Sequence, residues 1–396
     1  MRFANRMKYM EDKELLSLME LADAPDIISF AGGFPSPESY PIEDIRNSFM
    51  KVLETQWKEA LSYSSTSGFG RLREQIAERM NKNFGLNLTS DEILITTGSQ
   101  QALDMTGLML IDKDDVILFE TPSYLGALNA LKAYEAELVA VPTDDDGIKI
   151  DELKKALDYY KERVKLIYVI PDFQNPTSRC WSYERRKAFM DLIKDYDVAV
   201  LEDAAYSELS FKDEKEKPLI SFGNDNGQLI YCGSFSKTFC PGLRVAWIAA
   251  RRDIIEQYLL LKSNVDLSSS AITQRQMSYY LDHYDIDEHI KKITSIYKKR
   301  RDVMLEVISK EFPESVTYNV PMGGLFIWMS LPEGKESREL LRRALKEKVA
   351  FVPGGSFYPG EAKNNDMRIN FSNSTEEQII KGMTILGRIT REYLEE

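Results

Sequence analysis

The sequence predicts an α/β protein: a large domain on a mostly parallel seven-stranded sheet, with a smaller α+β domain beside it. Three observations carry this. Seven short β-branched or apolar runs recur between about residues 90 and 250, helix-like amphipathic stretches separate most of them, and the alternation ends after residue 280. Short apolar runs joined by helices imply βαβ units and a sheet buried on both faces, whereas clustered strands and helices suit an α+β unit.

Taken in order, residues 1–50 contain the Pro/Gly-rich AGGFPSPESYP at 31–41, too irregular for core structure, and are assigned to a segment that joins the smaller domain. The large domain is assigned to 51–283. Its expected strands are EILITT (92–97), DVILFE (115–120), AELVAV (136–141), KLIYVI (165–170), VAVLED (198–203), QLIYCG (228–233) and RVAWIA (244–249). Helix-like segments such as SQQALDMTGLMLI and SYERRKAFMDLIKDY lie between them. The small domain, 284–396, opens with a charged helix to about 311 and continues through TYNVPMGGLFIWMSL, a helix near 336–347, the strand-like MRINFS at 367–372 and a closing helix.

Composition narrows the function. With 396 residues, 43% hydrophobic and 29% charged, the chain lies in the ordinary globular range. The 51 basic against 63 acidic residues leave a formal charge of −12, which argues against nucleic acid as a partner. No apolar stretch approaches the length of a membrane span and no signal-peptide pattern opens the chain, so a cytoplasmic location is expected. Cys180, Cys232 and Cys240 form no CxxC pair, and no metal site is expected. The two histidines, His283 and His289, lie in the charged LDHYDIDEHIKK run and read as a solvated helix face, so acid–base work falls to another residue type.

In open α/β sheets ligands bind beyond the carboxyl ends of the strands. There, GSFSKTFCPGLR (233–244) puts Ser234, Ser236, Lys237 and Arg244 in one Gly-flanked turn, where hydroxyls and a guanidinium can hold an anion beside an amine. Phe235, Phe239 and Cys240 around Lys237 favour partial desolvation, which frees the amine for imine chemistry. The plain alternative is a surface turn with a solvated lysine. In LEDAAYSEL (201–209), Asp203 ends a central strand, either as a buried carboxylate needing a partner or as a helix cap, with Tyr206 nearby. PDFQNPTSR (171–179) presents Asn175, held extended before Pro176. TTGSQQALDM (96–105) runs a strand into a helix whose first turn carries Ser99 and Gln100, a phosphate cradle or a simple N-cap. ETPSYLGAL (120–128) sets Tyr124 where its ring can stack on a flat ligand or pack in the core. Arg368, within MRINFS, is either half of a structural ion pair or kept for an external carboxylate.

Together these motifs resemble the fold-type I pyridoxal-phosphate enzymes, specifically the class I/II aminotransferases, over nearly the whole chain from AGGFPSP to MRINFS. The order NP, D-x-x-Y, S-x-SK-x(6)-R is what makes the resemblance specific. It implies that Lys237 bonds the cofactor aldehyde, that Asp203 pairs with the pyridinium nitrogen, that Tyr206 and Asn175 bind the ring hydroxyl oxygen and that Tyr124 stacks on the ring. Ser99, Gln100, Ser234, Ser236 and Arg244 match the phosphate binders. Tyr63 matches a tyrosine that reaches the phosphate from a neighbouring subunit, implying a homodimer with shared sites. Arg368 matches the substrate-carboxylate arginine, Gly33 and Asn175 lie beside the substrate, and Lys237, Asp203 and Tyr206 make up the catalytic set.

The sequence departs from the commonest family form at Ser178, where a glycine is frequent, so the local turn is expected to differ. AGGFP and DFQNPT look most like the 2-aminoadipate, kynurenine and aromatic branch, with a 2-oxo acid such as 2-oxoglutarate as acceptor. That branch also resembles the effector domains of bacterial regulators. Alternatives on the same scaffold are a lyase or decarboxylase and a non-catalytic cofactor-binding regulator. For the substrate side chain, Arg2 and Arg6 are candidates against an acidic group, and Phe34 and Tyr40 for an aromatic pocket.

Overall fold

The computed structural model describes residues 1–9, 26–212, 216–223 and 226–396. All seven expected runs are strands of one sheet, ordered Ile93–Thr97, Val245–Ala249, Leu229–Ser234, Ala199–Asp203, Val164–Val169, Val116–Thr121, Glu137–Asp144 and Gly147–Ile148. The sheet therefore has eight strands rather than seven. The additional one is only two residues long and hairpins back on Glu137–Asp144, so it has no apolar run of its own to announce it. Gly147 turns that hairpin at φ 114°, a conformation that suits glycine.

Five neighbouring strands, from Leu229–Ser234 to Glu137–Asp144, run parallel. Val245–Ala249 runs antiparallel to both its neighbours. Successive strand residues point to opposite faces, and both faces are covered. Leu94, Ile117, Phe119, Leu166 and Tyr168 pack into one core, while Ile93, Ile95, Leu118, Ile167 and Val169 pack into the other. Burial on both sides is why these strands read as continuous apolar runs instead of alternating ones.

Beyond residue 285, a second sheet orders Thr317–Tyr318, Phe326–Ser330, Asp366–Asn370 and Val352–Pro353, all antiparallel. The helix Ile286–Glu311, N-capped by the Asp285 carboxylate, packs against the closing helix Glu376–Glu395. The latter starts with a capping box between Thr375 and Gln378. Near the other terminus, Ile28–Ser29 pairs in parallel with Val349–Ala350, while the helix Ile42–Thr55 packs on Ala271–His283.

One reading of the sequence is corrected here. His283 is exposed, but His289 is buried with its ring against Phe239, and burial lowers its pKa. An i, i+3/i+4 apolar stripe (Ile286, Ile290, Ile293, Tyr297) carries His289 inward with it, which the surrounding charges conceal.

Candidate active site

The strand Ala199–Asp203 ends on a buried carboxylate. Asp203 accepts hydrogen bonds from the Tyr168 hydroxyl (2.8 Å) and from the Ala205 N–H (3.2 Å). The parallel register that sets Tyr168 opposite Leu201 places both Tyr168 and Asp203 on one face, two residues apart along the sheet. Burial raises the Asp203 pKa, while those donors and the Lys237 ammonium oppose the rise. Its helix-capping alternative is met only by the single bond to Ala205.

Lys237 follows the next strand, Leu229–Ser234, three residues beyond its end. Its amine donates to the Gly33 carbonyl at 2.8 Å and lies between the rings of Phe34 and Tyr206, 6.0 and 5.9 Å from their centroids. Desolvation first, then the positive charges of Arg368 and Arg244, bring its pKa down to about 8, with Asp203 pulling the other way. A solvated surface lysine is thereby ruled out, and the amine is available at neutral pH in a way an ordinary lysine is not.

Arg368 comes in from the small sheet, where it lies opposite Trp328 and Val352. Its guanidinium is held between the rings of Phe326 and Phe357, at 4.3 and 5.1 Å. It donates to the Asn175 amide oxygen (2.8 Å) and to the Ala31 carbonyl (2.7 Å), and Asn175 in turn donates to the Tyr206 hydroxyl at 3.2 Å. No carboxylate among the described residues forms an ion pair with Arg368, its Nε has no partner, and burial lowers its pKa to about 10. Of the two readings of Arg368, a structural ion pair is therefore excluded, and the buried cation carries the cost of lacking a counter-ion.

The cradle at the opposite end is made by the first turn of the helix Ser99–Leu110. Gly98, its N-cap, adopts φ 75°, and a Cβ there would overlap the Arg244 guanidinium. Arg244 itself sits in the left-handed region at φ 54°. The Ser234 hydroxyl accepts from the Ser236 N–H at 3.1 Å, so both serines line the same turn as Lys237. Gln100 contributes its helix-start backbone, since its side chain donates to the Gly126 carbonyl. Tyr124, N-capping the helix Leu125–Lys132, feels the charges of Asp203, Arg368 and Arg244 at once, which puts its ring at the centre of the site. Gly33 closes one side, a Cβ on it meeting Phe326 at 3.2 Å. Tyr63 alone is not brought in: it is 89% exposed on the surface segment before Gly68.

An amine of lowered pKa, a buried carboxylate, a helix start set against a guanidinium and an arginine without a carboxylate partner thus converge from separate segments of the chain. The family model for aminotransferases of class I and II matches residues 25–386. The chain belongs to the class I and II aminotransferases. An aromatic-amino-acid aminotransferase from Thermococcus litoralis is 38% identical to this aminotransferase over 395 residues, covering 99% of this chain and 94% of its own. A solved multiple substrate aminotransferase from Thermococcus profundus superposes with a TM-score of 0.94 at 37% identity, covering 99% and 98% of the two chains. The structure of an alpha-aminoadipate aminotransferase from Thermus thermophilus, complexed with N-(5'-phosphopyridoxyl)-L-leucine, gives 0.93 at 33% identity, covering 99% and 98%. Family and relatives support pyridoxal-phosphate-dependent amino-group transfer and imply amino acids and 2-oxo acids as substrates.

Pyridoxal phosphate fits the residues present: Gly98 brings a helix start directly against the Arg244 guanidinium, and the buried Asp203 carboxylate lacks a cationic partner in direct contact. Sequence reasoning missed four contributors to this aminotransferase site. Tyr168 reads as core, because it lies inside an apolar strand; the Phe326 and Phe357 rings flanking Arg368 carry no motif; and Gly98 shows its role only through its φ. Arg2 and Arg6 are exposed, whereas Phe34 does reach the Lys237 amine. At Ser178 the backbone takes φ 52°, a conformation a glycine adopts freely and a serine only at some cost. Among the described residues no cluster fit for a metal ion occurs, and no helix is long and apolar enough to cross a membrane.

Proposed function

We propose that this aminotransferase moves an amino group from an L-amino acid of the aromatic or 2-aminoadipate class to a 2-oxo acid such as 2-oxoglutarate. The observation that carries the reading is Arg368, a buried guanidinium between two aromatic rings with no carboxylate of its own. A free α-carboxylate answers it, and the surrounding Phe326, Phe357 and Phe34 favour an apolar or aromatic side chain close by. When bound, pyridoxal phosphate supplies an aldehyde for imine formation and a ring that takes up the electron pair left as a Cα bond breaks.

The chain's residues do the rest. Arg368 and Asn175 grip the substrate carboxylate and hold Cα beside Lys237. The Lys237 amine, unprotonated above about pH 8, takes the Cα proton and hands it on. Asp203, supported as a carboxylate by Tyr168 and the Ala205 N–H, would keep the cofactor's ring nitrogen protonated. Tyr206 and Asn175 would bind the ring hydroxyl oxygen, Tyr124 would stack on the ring, and Ser99, Gln100, Ser234, Ser236 and Arg244 would hold the phosphate. Tyr63 serves the site of a second copy in a homodimer. The same reading divides the chain into an N-terminal segment (1–50), a cofactor domain (51–283) and a small domain (284–396), and places the protein in the cytoplasm.

The test is turnover. Cofactor-loaded protein given a panel of amino acids should lose its visible absorption and regain it on adding a 2-oxo acid, and borohydride should trap the cofactor on residue 237. Lys237→Ala should abolish both while leaving the cofactor bound non-covalently. Wild-type turnover in that variant would sink the assignment.

A further inference from the structure

Glu120 is a fully buried carboxylate that the transfer chemistry does not use. It is the penultimate residue of the strand Val116–Thr121, at 1% exposure and four residues before Tyr124. One of its oxygens accepts from the Ile170 N–H at 2.7 Å, and the other accepts from the Trp181 indole N–H at 2.9 Å. Those two donors stand at the two ends of the loop 171–180, which is closed by the Trp181 N–H on the Pro171 carbonyl at 2.7 Å. Asn175 sits at the tip of that loop. Within it, Gln174 donates to the Pro122 carbonyl at 2.9 Å and accepts from the Thr177 hydroxyl at 2.6 Å, which ties the Asn175 turn to the segment bearing Tyr124.

A second anchor, the Arg186–Asp172 pair at 2.7 Å, fixes the outer side of the same loop, and Arg186 also donates to the Pro171 and Trp181 carbonyls. What Glu120 adds is a grip on both ends from beneath. Burying a carboxylate is unfavourable, and desolvation raises its pKa to about 7 against the pull of its donors and of Arg179. An amide could accept from only one of the two donors and an apolar side chain from neither. Retention of an acid there fits a need for two charge-assisted bonds at fixed separation.

We propose that Glu120 is a positioning residue: by clamping Ile170 and Trp181 it holds Asn175 where its amide oxygen meets Arg368, and so sets the affinity for the substrate carboxylate. Glu120 touches neither substrate nor cofactor. The inference rests on the reading of Arg368 and Asn175 as the carboxylate grip, and the experiment separates the two.

Steady-state kinetics of the cofactor-loaded enzyme are measured with an accepted amino donor for Glu120→Gln, Trp181→Phe, their double variant and Arg368→Gln. Glu120→Gln presents a donor to a donor and breaks one end of the clamp. It should raise KM for the amino acid about tenfold with kcat within about twofold, the loss of one charge-assisted bond read through ground-state binding. Trp181→Phe keeps the ring packed on Phe189 and removes only the N–H, so KM should rise in the same direction by a few-fold. With the glutamine oxygen kept on the Ile170 N–H and its amide turned to Trp181, both substitutions remove the same Glu120–Trp181 contact, so the double variant should be no worse than Glu120→Gln alone. Unchanged KM in both single variants, or kcat falling in step with a lowered melting temperature at constant KM, would overturn the proposal. If Glu120→Gln fails to fold, Trp181→Phe carries the test alone. A normal KM in Arg368→Gln would instead sink the underlying carboxylate assignment.

Discussion

Lys237 shows how far one side chain can be moved from its ordinary chemistry by what surrounds it. Because its pKa falls to about 8 from 10.5, the folded chain has lost a proton that the unfolded chain still holds between those values. Stability from this group therefore rises with pH through that window and is absent below about 8. In cofactor-free protein, modification of residue 237 by an amine reagent should show a midpoint near pH 8, followed by peptide mapping. Asp203→Asn should move the midpoint lower, since that carboxylate supports the ammonium. Ser178 is a second single-residue case. Its φ of 52° and its unpartnered buried hydroxyl both count against serine, so Ser178→Gly should stabilise the fold by about 1 kcal/mol in urea melts with kcat unchanged.

Among the elements, the helix Ser99–Leu110 does most through its first turn. Gly98→Ala would strain a φ of 75° and drive a methyl group into the Arg244 guanidinium, so the helix would persist while the anion cradle closed. The expected result is a loss of at least about tenfold in pyridoxal phosphate affinity by equilibrium titration, with far-UV circular dichroism unchanged. Elements were also the level at which the sequence was most legible. Six of the seven expected strands of the large sheet announce themselves as apolar runs because they are buried, Glu137–Asp144 being mostly half-buried or exposed, and five of the motifs follow strands of this sheet. The pairing of Tyr168 with Asp203 was not legible: it depends on inter-strand register, which a single strand's residues do not encode. Likewise the lack of a carboxylate beside Arg368 is a property of its neighbours in space, and taken alone the sequence around it favours an ion pair. The eighth strand and the inward turn of His289 were hidden for related reasons, one by shortness and the other by the charges flanking it.

At the scale of the whole molecule, Tyr63 is the residue that a single chain leaves unexplained. It stands 89% exposed, beside a surface bearing Trp57 at 53% and Leu61 at 67% exposure. Apolar side chains bared this close together mark a contact surface. Sedimentation should find a dimer, and two impaired variants, Lys237→Ala and Tyr63→Ala, should regain activity when unfolded, mixed and refolded together. Each hybrid pair would then contain one site with both side chains intact. No recovery, with hybrids verified by mass, would assign Tyr63 to its own chain's surface.

The reversed direction of Val245–Ala249 has a consequence for how this site can change over time. Since that strand doubles straight back, the ten residues 235–244 carry both the Lys237 amine and the Arg244 guanidinium without a crossover helix between them. A single inserted codon in that stretch would alter the span between the two by up to ~3.4 Å and leave every strand in place. Such a lineage would inherit an intact scaffold with its two anchoring groups out of step, so length here is under tighter constraint than spelling.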